Sequence, residues 1–215
     1  KAGEPPKNET AGNVSPAASG TATPDASGAT IYEGKPFPQK KGDNYKALTL
    51  SLSDNFNIQY RKVIIAATME TENNMSKTDS TYYYYRSKTT SGSMTYKLRA
   101  TVKASAKGIA VESPKLVVQC FTKDVISSGK SAPKLHDTKT FSLPTIDDAR
   151  AIGVELPELS LESSSTRVGV RYYTPSATGR ELYGFVLSVF DSSGSLVAQM
   201  VSNKGLKDLG TTKLP

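Results

Sequence analysis

His136 and Cys120 are the only histidine and the only cysteine in the 215 residues, and this decides most of the catalytic chemistry open to the chain. A Ser-His-Asp or Cys-His arrangement has to use His136, which sits in the polar run Lys134-Leu135-His136-Asp137, read as a loop. No Gly-x-Ser-x-Gly elbow is present. A His-Glu-x-x-His helix needs two histidines, and a thiolate zinc site needs several cysteines, so both are excluded. Ser128-Gly129-Lys130-Ser131 imitates the end of a phosphate loop, but Asp124 stands where the motif needs glycine and Ala132-Pro133 where its helix should begin. Asp147, Asp148, Glu155 and Glu158 are the carboxylates a glycosidase pair would draw on, with no spacing that singles any of them out. Cys120 alternates with Leu116 and Val118, which predicts a small buried hydrophobe rather than a nucleophile. The expectation is a non-enzymatic protein with no cofactor and no metal.

One constellation is unusual: Tyr82-Tyr83-Tyr84-Tyr85-Arg86, followed by Ser87-Lys88. In a strand Tyr82 and Tyr84 would face one way, and Tyr83 and Tyr85 the other. The structural reading is a strand with tyrosines packed on both sides. The functional reading is a contact strip, because tyrosine offers a stacking face and a polar tip at low entropic cost. A protein or a glycan suits such a strip. Nucleic acid is not expected, since no OB-fold or RRM pattern accompanies the tyrosines.

The elements that must position these residues are strands. Thr166 to Asn203 reads as an antiparallel meander, with runs at Thr166–Thr174, Gly184–Phe190 and Ser195–Asn203. Val168, Val170 and Tyr172 share one face of the first run, and Pro175 stops it. Phe185, Leu187 and Val189 line one face of the second, with Val186 and Phe190 on the other. That predicts cover on both faces, by a loop of the same chain or by a partner. Asp191-Ser192-Ser193-Gly194 closes the following hairpin. Upstream, Leu48, Leu50 and Leu52 alternate, and Val63–Met69 is a β-branched run. Met94–Ser105 alternates strictly, with Leu98, Ala100 and Val102 inward and Lys97, Arg99 and Lys103 toward solvent. Lys115–Lys123, Lys139–Leu143 and Leu159–Leu161 are further strands. Thr145 and Asp148 predict a short helix through Ala151, ended by Gly153. The fold class is all-β: an immunoglobulin-like antiparallel β-sandwich with a flexible N-terminal tail, a closed barrel being the alternative.

Residues 1–44 are rich in Ala, Gly, Pro, Ser and Thr and read as a linker or tether. Residues 45–203 form the sandwich, with a division into two small sandwiches near 105–113 as the alternative. Residues 204–215 are a C-terminal tail. With a single cysteine, no disulfide within the chain is available. The formal net charge of +7 is spread along the chain and reads first as a solvated basic surface, with attraction to acidic partners as the functional reading. No run approaches the ~20 apolar residues of a membrane helix. The chain starts at Lys1, as expected of a mature fragment whose signal peptide has been removed. Asn8, Asn13 and Asn74 begin glycosylation sequons, which count only in a glycosylating secretory pathway.

Arg167-Val168-Gly169-Val170-Arg171-Tyr172-Tyr173, Tyr183-Gly184-Phe185-Val186-Leu187-Ser188-Val189-Phe190 and the Asp191–Gly194 hairpin, behind such a tail, resemble secreted cell-envelope proteins of verrucomicrobial gut bacteria. Some of those are associated with pilus-like gene clusters and have immunoglobulin-like folds. The resemblance implies export to the cell surface, outer membrane or periplasm, and a structural role. The expected function is protein–protein contact in an envelope or pilus assembly, with self-association left open. The alternative is a carbohydrate-binding module or glycan adhesin using Tyr82–Arg86.

Overall fold

The structure is a computed structural model that describes residues 23–24, 30–33, 45–49, 53–54, 62–82, 85–168, 176–211 and 213–214. Its described residues form an all-β, antiparallel fold with no α-helix. In chain order the strands are β1 (Thr23–Pro24), β2 (Thr30–Glu33), β3 (Tyr45–Thr49), β4 (Ser53–Asp54), β5 (Val63–Tyr82), β6 (Tyr85–Ala104), β7 (Lys115–Asp124), β8 (Lys134–Ser142), β9 (Ile152–Glu155), β10 (Leu159–Val168), β11 (Ser176–Phe190) and β12 (Leu196–Val201).

Two sheets share one core. In the first, β6 is central. It pairs with β5 along its whole length on one edge, and on the other with β9 near its C-terminal end and β10 nearer its start. β3 extends this sheet beyond β5, and β2 and β1 extend it beyond β9. The second sheet runs β8-β7-β11-β12-β4. β11 belongs to both: Ser176–Gly179 pairs with β10, and Arg180–Phe190 pairs with β7.

The core follows the period-two alternation. Val63, Ile65 and Ala67 of β5 and Leu98, Ala100 and Val102 of β6 meet Leu116, Val118 and Cys120 of β7 and Phe185, Leu187 and Val189 of β11. Residues on both sides of 105–113 therefore bury one common surface. Two-sided cover of β11 is also present, and it comes from the same chain. Val186 packs with Phe121, Val201 and Leu206. Leu206 belongs to a 3-10 turn, Lys204–Leu206, which Asn203 caps by accepting a hydrogen bond from the Gly205 N–H. Farther along, the Thr211 N–H donates to Gln119, whose neighbour Gln199 donates to the Thr211 carbonyl and to Ser188. Residues 204–211 thus cover the outer face, because Val186 and Phe121 would otherwise lie in water.

Other sequence expectations need correction. Within the expected linker, β2 adds to β9, and Ile31 lies opposite Val154 and packs against the core. β2 is Thr-Ile-Tyr-Glu, with two β-branched residues and a tyrosine that suit a strand. The helix expected from Thr145 to Ala151 does not form. Ile146 bridges to Val111, Asp147 accepts from the Ala149 N–H in a local turn, and β9 begins at Ile152. Ile152 and Val154 are fully buried, and their alternation outweighs the capping signal. The polar stretch 176–182, which carries no apolar alternation, is also strand, since β10 and β7 supply its backbone partners. Of the first meander run, Thr166–Val168 ends β10, while 169–175 lies outside the described residues. Leu48 falls in β3; Leu50 and Leu52 lie outside.

The predicted solvent face of β6 is partly buried. Arg99 is 6% exposed, and its Nη1 donates to Oε1 of Glu70, itself 3% exposed, at 2.7 Å. Arg99 Nε lies 3.3 Å from Glu155 Oε2, and Lys97 pairs with the other oxygen of Glu155. β5, β6 and β9 each contribute charge to this cluster.

Candidate functional site

β5 and β6 are 20 residues each and pair in one unbroken register from Val63–Ala104 to Tyr82–Tyr85. Only their inner ends reach the core, whose described members on these strands stop at Met69 and Leu98. From Asn73 to Thr81 the β5 side chains are exposed, except that of Met75, which is half-buried. At 3.3–3.4 Å per residue this outer part is an arm about 33 Å long. The first residues of β11 and most of β10 widen it to four strands. The sequence there, Asn-Asn-Met-Ser-Lys-Thr-Asp-Ser-Thr against Arg-Ser-Lys-Thr-Thr-Ser-Gly-Ser, has no apolar alternation. It holds strand geometry through its ladders and through cross-strand pairs of Ser and Thr.

The tyrosine cluster lies at the end of this arm, not in the middle of a strand. β5 ends at Tyr82, β6 begins at Tyr85, and the two are partners. Tyr83 and Tyr84 lie outside the described residues, as do the side chains of Tyr82 and Tyr85. Arg86 follows the turn and is exposed. The register then adds residues that sequence reading left apart. Asp79 is opposite Lys88, and Lys88 is opposite Arg167 of β10. Asp79, Arg86, Lys88, Arg167 and Val168 line one open hollow of about 390 Å³. Three cations and one carboxylate give this end of the arm a positive face. The signal for Lys88 was its place two residues after Arg86, on the same side of the strand; Arg167 had none, because only the β6–β10 pairing brings it near.

The residues considered for catalysis are placed as follows. His136 is exposed on β8, an edge strand rather than a loop, and its Nδ1 is 3.2 Å from Arg180 Nη1. Asp148 accepts from the Gly108 N–H at the far end of the fold, and Glu155 belongs to the Arg99 cluster. Asp137 and Glu158 share a cavity of about 130 Å³ with Cys120, Lys139 and Phe185. Burial, and then the nearby Asp137 carboxylate, push the Cys120 thiol up to about 12, so it stays protonated and non-nucleophilic at neutral pH. Among the described residues no group of three or more His, Cys, Asp or Glu side chains is arranged to hold a metal ion. No described helix is long and apolar enough to cross a membrane.

No family model matches the chain, and neither a curated protein nor a solved structure matches it. The site must therefore be argued from its own geometry.

Proposed function

We propose that this is a non-enzymatic, exported cell-envelope protein, an immunoglobulin-like sandwich whose work is contact with other proteins in an envelope or pilus assembly. The observation that carries the reading is the β5–β6 arm. A hairpin that runs 13 residues past its last core-facing pair, Met69–Leu98, contributes little to burial, so its length is explained by what it presents. It carries Arg86, Lys88 and Arg167 around one hollow, and Tyr82–Tyr85 adjoin Arg86 in sequence. Tyrosine and arginine are the residues that carry most energy in protein interfaces, and a positive tip favours an acidic partner surface. The Ala/Pro/Ser/Thr-rich start of the chain supports a tethered, exported protein.

The test is site-specific photo-crosslinking in the native cell. A photoreactive side chain at Arg86 should yield a discrete adduct with an envelope protein. The same group at Lys107, exposed beyond the opposite end of β6, should not. No adduct from Arg86, or the same adducts from both positions, would overturn the proposal.

A further inference from the structure

The arm carries a second surface, on the side opposite the basic tip residues. Ser76, Ser91, Ser164 and Thr178 form one row across β5, β6, β10 and β11. Thr78, Thr89, Thr166 and Ser176 form the next. Every position in the two rows is a hydroxyl. Neighbours within a row are set by the strand spacing of about 4.8 Å, and rows are about 6.7 Å apart.

Beside the first row stand two glycines with positive φ. Gly92 has φ +146° and Gly179 φ +102°. A Cβ on Gly92 would overlap the Asn74 carbonyl oxygen, and one on Gly179 the Glu162 carbonyl oxygen. Only glycine allows these backbones to approach so closely. Around these glycines lies an open groove of about 440 Å³, where the side chains are Asn74, Ser91, Ser93, Glu162, Ser164 and Thr178, with Ser163 beside them. In the second row Thr89 and Thr166 bond to each other at 3.1 Å. The groove side chains instead have no hydrogen-bond or ion-pair partner among the described residues. Donors and acceptors that no described residue engages, facing a concave surface, suit a ligand rich in both.

We propose that this groove binds a neutral polysaccharide lying across the strands. Each serine or threonine hydroxyl both donates and accepts, and the Asn74 amide does the same with two atoms. The Glu162 carboxylate accepts from a pair of neighbouring sugar hydroxyls. The strand spacing is comparable with the length of one pyranose unit, so successive sugars meet equivalent hydroxyls. Among the described residues no lysine or arginine lines the groove, and Glu162 repels polyanions, which selects against acidic glycans and nucleic acid. The contacts compete with water, so a single short chain binds weakly, and a repeating polymer presented on a surface gains by avidity. The inference is independent of the protein contact assigned to the tip.

The experiment is a two-dimensional amide NMR titration of the full chain with cellohexaose, chitohexaose and mannohexaose, each to about 10 mM, a range that covers millimolar affinity. An oligogalacturonate serves as the acidic control. The expected result is saturable shifts from at least one neutral probe, centred on Ser91–Ser93, Ser163–Ser164 and Thr178–Gly179. Glu162→Ala and Asn74→Ala, both at exposed positions, should each weaken binding about fivefold or more, the loss of about one good hydrogen bond. Excising Asp79–Lys88, with Asn-Gly joining Thr78 to Thr89, should leave it unchanged. No saturation by any neutral probe would overturn the proposal, as would equal binding of the acidic oligomer, or binding lost with the excision and kept in Glu162→Ala.

Discussion

Arg99→Leu should destabilise the fold by about 3–5 kcal/mol, the cost of leaving a buried charge without its partner. Arg99 Nη1 lies 2.7 Å from Glu70 Oε1, with side-chain exposures of 7% and 3%, and its Nε lies 3.3 Å from Glu155 Oε2. Glu70 Oε2 is buried with no hydrogen-bond partner, so this carboxylate already depends on the guanidinium. Such a loss is a large fraction of the ~5–15 kcal/mol that holds a domain folded. Urea titration of wild type, Arg99→Leu, Glu70→Leu and the double variant reads it directly, through the midpoint at constant slope. Glu70→Leu, Arg99→Leu together should come back to within about 2 kcal/mol of wild type, because two apolar side chains replace two charges. Lys97→Ala, which removes a partly exposed partner of Glu155, should cost under about 1 kcal/mol. The reasoning is refuted if Arg99→Leu costs less than about 1 kcal/mol, or if the double variant loses the full sum of the single ones.

Leu187→Ala and Leu206→Ala, both at fully buried positions, should each cost about 2–5 kcal/mol by the same titration. The second tests whether residues after Asn203 really cover the outer face. Gly92→Ala combines a positive φ with an overlap against Asn74; a melting temperature lowered by at least about 4 °C is expected, matching a cost of 1 kcal/mol or more. The Cys120 thiol, pushed up to about 12 from its ordinary 9.0, should resist a disulfide reagent at pH 8 in the native state and react at once in urea. Because its pKa is raised on folding, the stability linked to it is full below pH 9 and is lost as the pH rises from there toward 12; urea midpoints across that range, compared with Cys120→Ala, measure it.

The parts of this fold legible in the sequence are those where one face meets a core. Leu98-x-Ala100-x-Val102 and Phe185-x-Leu187-x-Val189 announce their strands because burial imposes period two. The arm was not legible for the converse reason. Its residues Asn73–Thr81 and Arg86–Ser93 are almost all polar on both sides, so no periodicity marks them, and only the ladder shows that they are strand. The same gap hid the tip. Tyr82–Arg86 stands out by composition, yet its place at a hairpin end, and its neighbours Lys88 and Arg167, depend on pairings across β6 and β10. Arg99 failed for a different reason: a charged residue on an alternating strand reads as solvated, and its burial with Glu70 and Glu155 arises from three strands at once. At Ile152–Glu155 a cap-like Thr and Asp preceded four residues that two neighbouring strands claimed first.

The central claim is that the end of the β5–β6 arm is the surface this protein presents to its partners. It is tested most directly by excising Asp79–Lys88, joining Thr78 to Thr89 through Asn-Gly in a two-residue turn that suits the strand twist, and measuring how much of the protein remains in the assembled envelope fraction of native cells. The account predicts a urea midpoint close to wild type, since the excised residues lie outside the core, together with release of most of the protein from that fraction. Undiminished retention of the folded, shortened protein would contradict it.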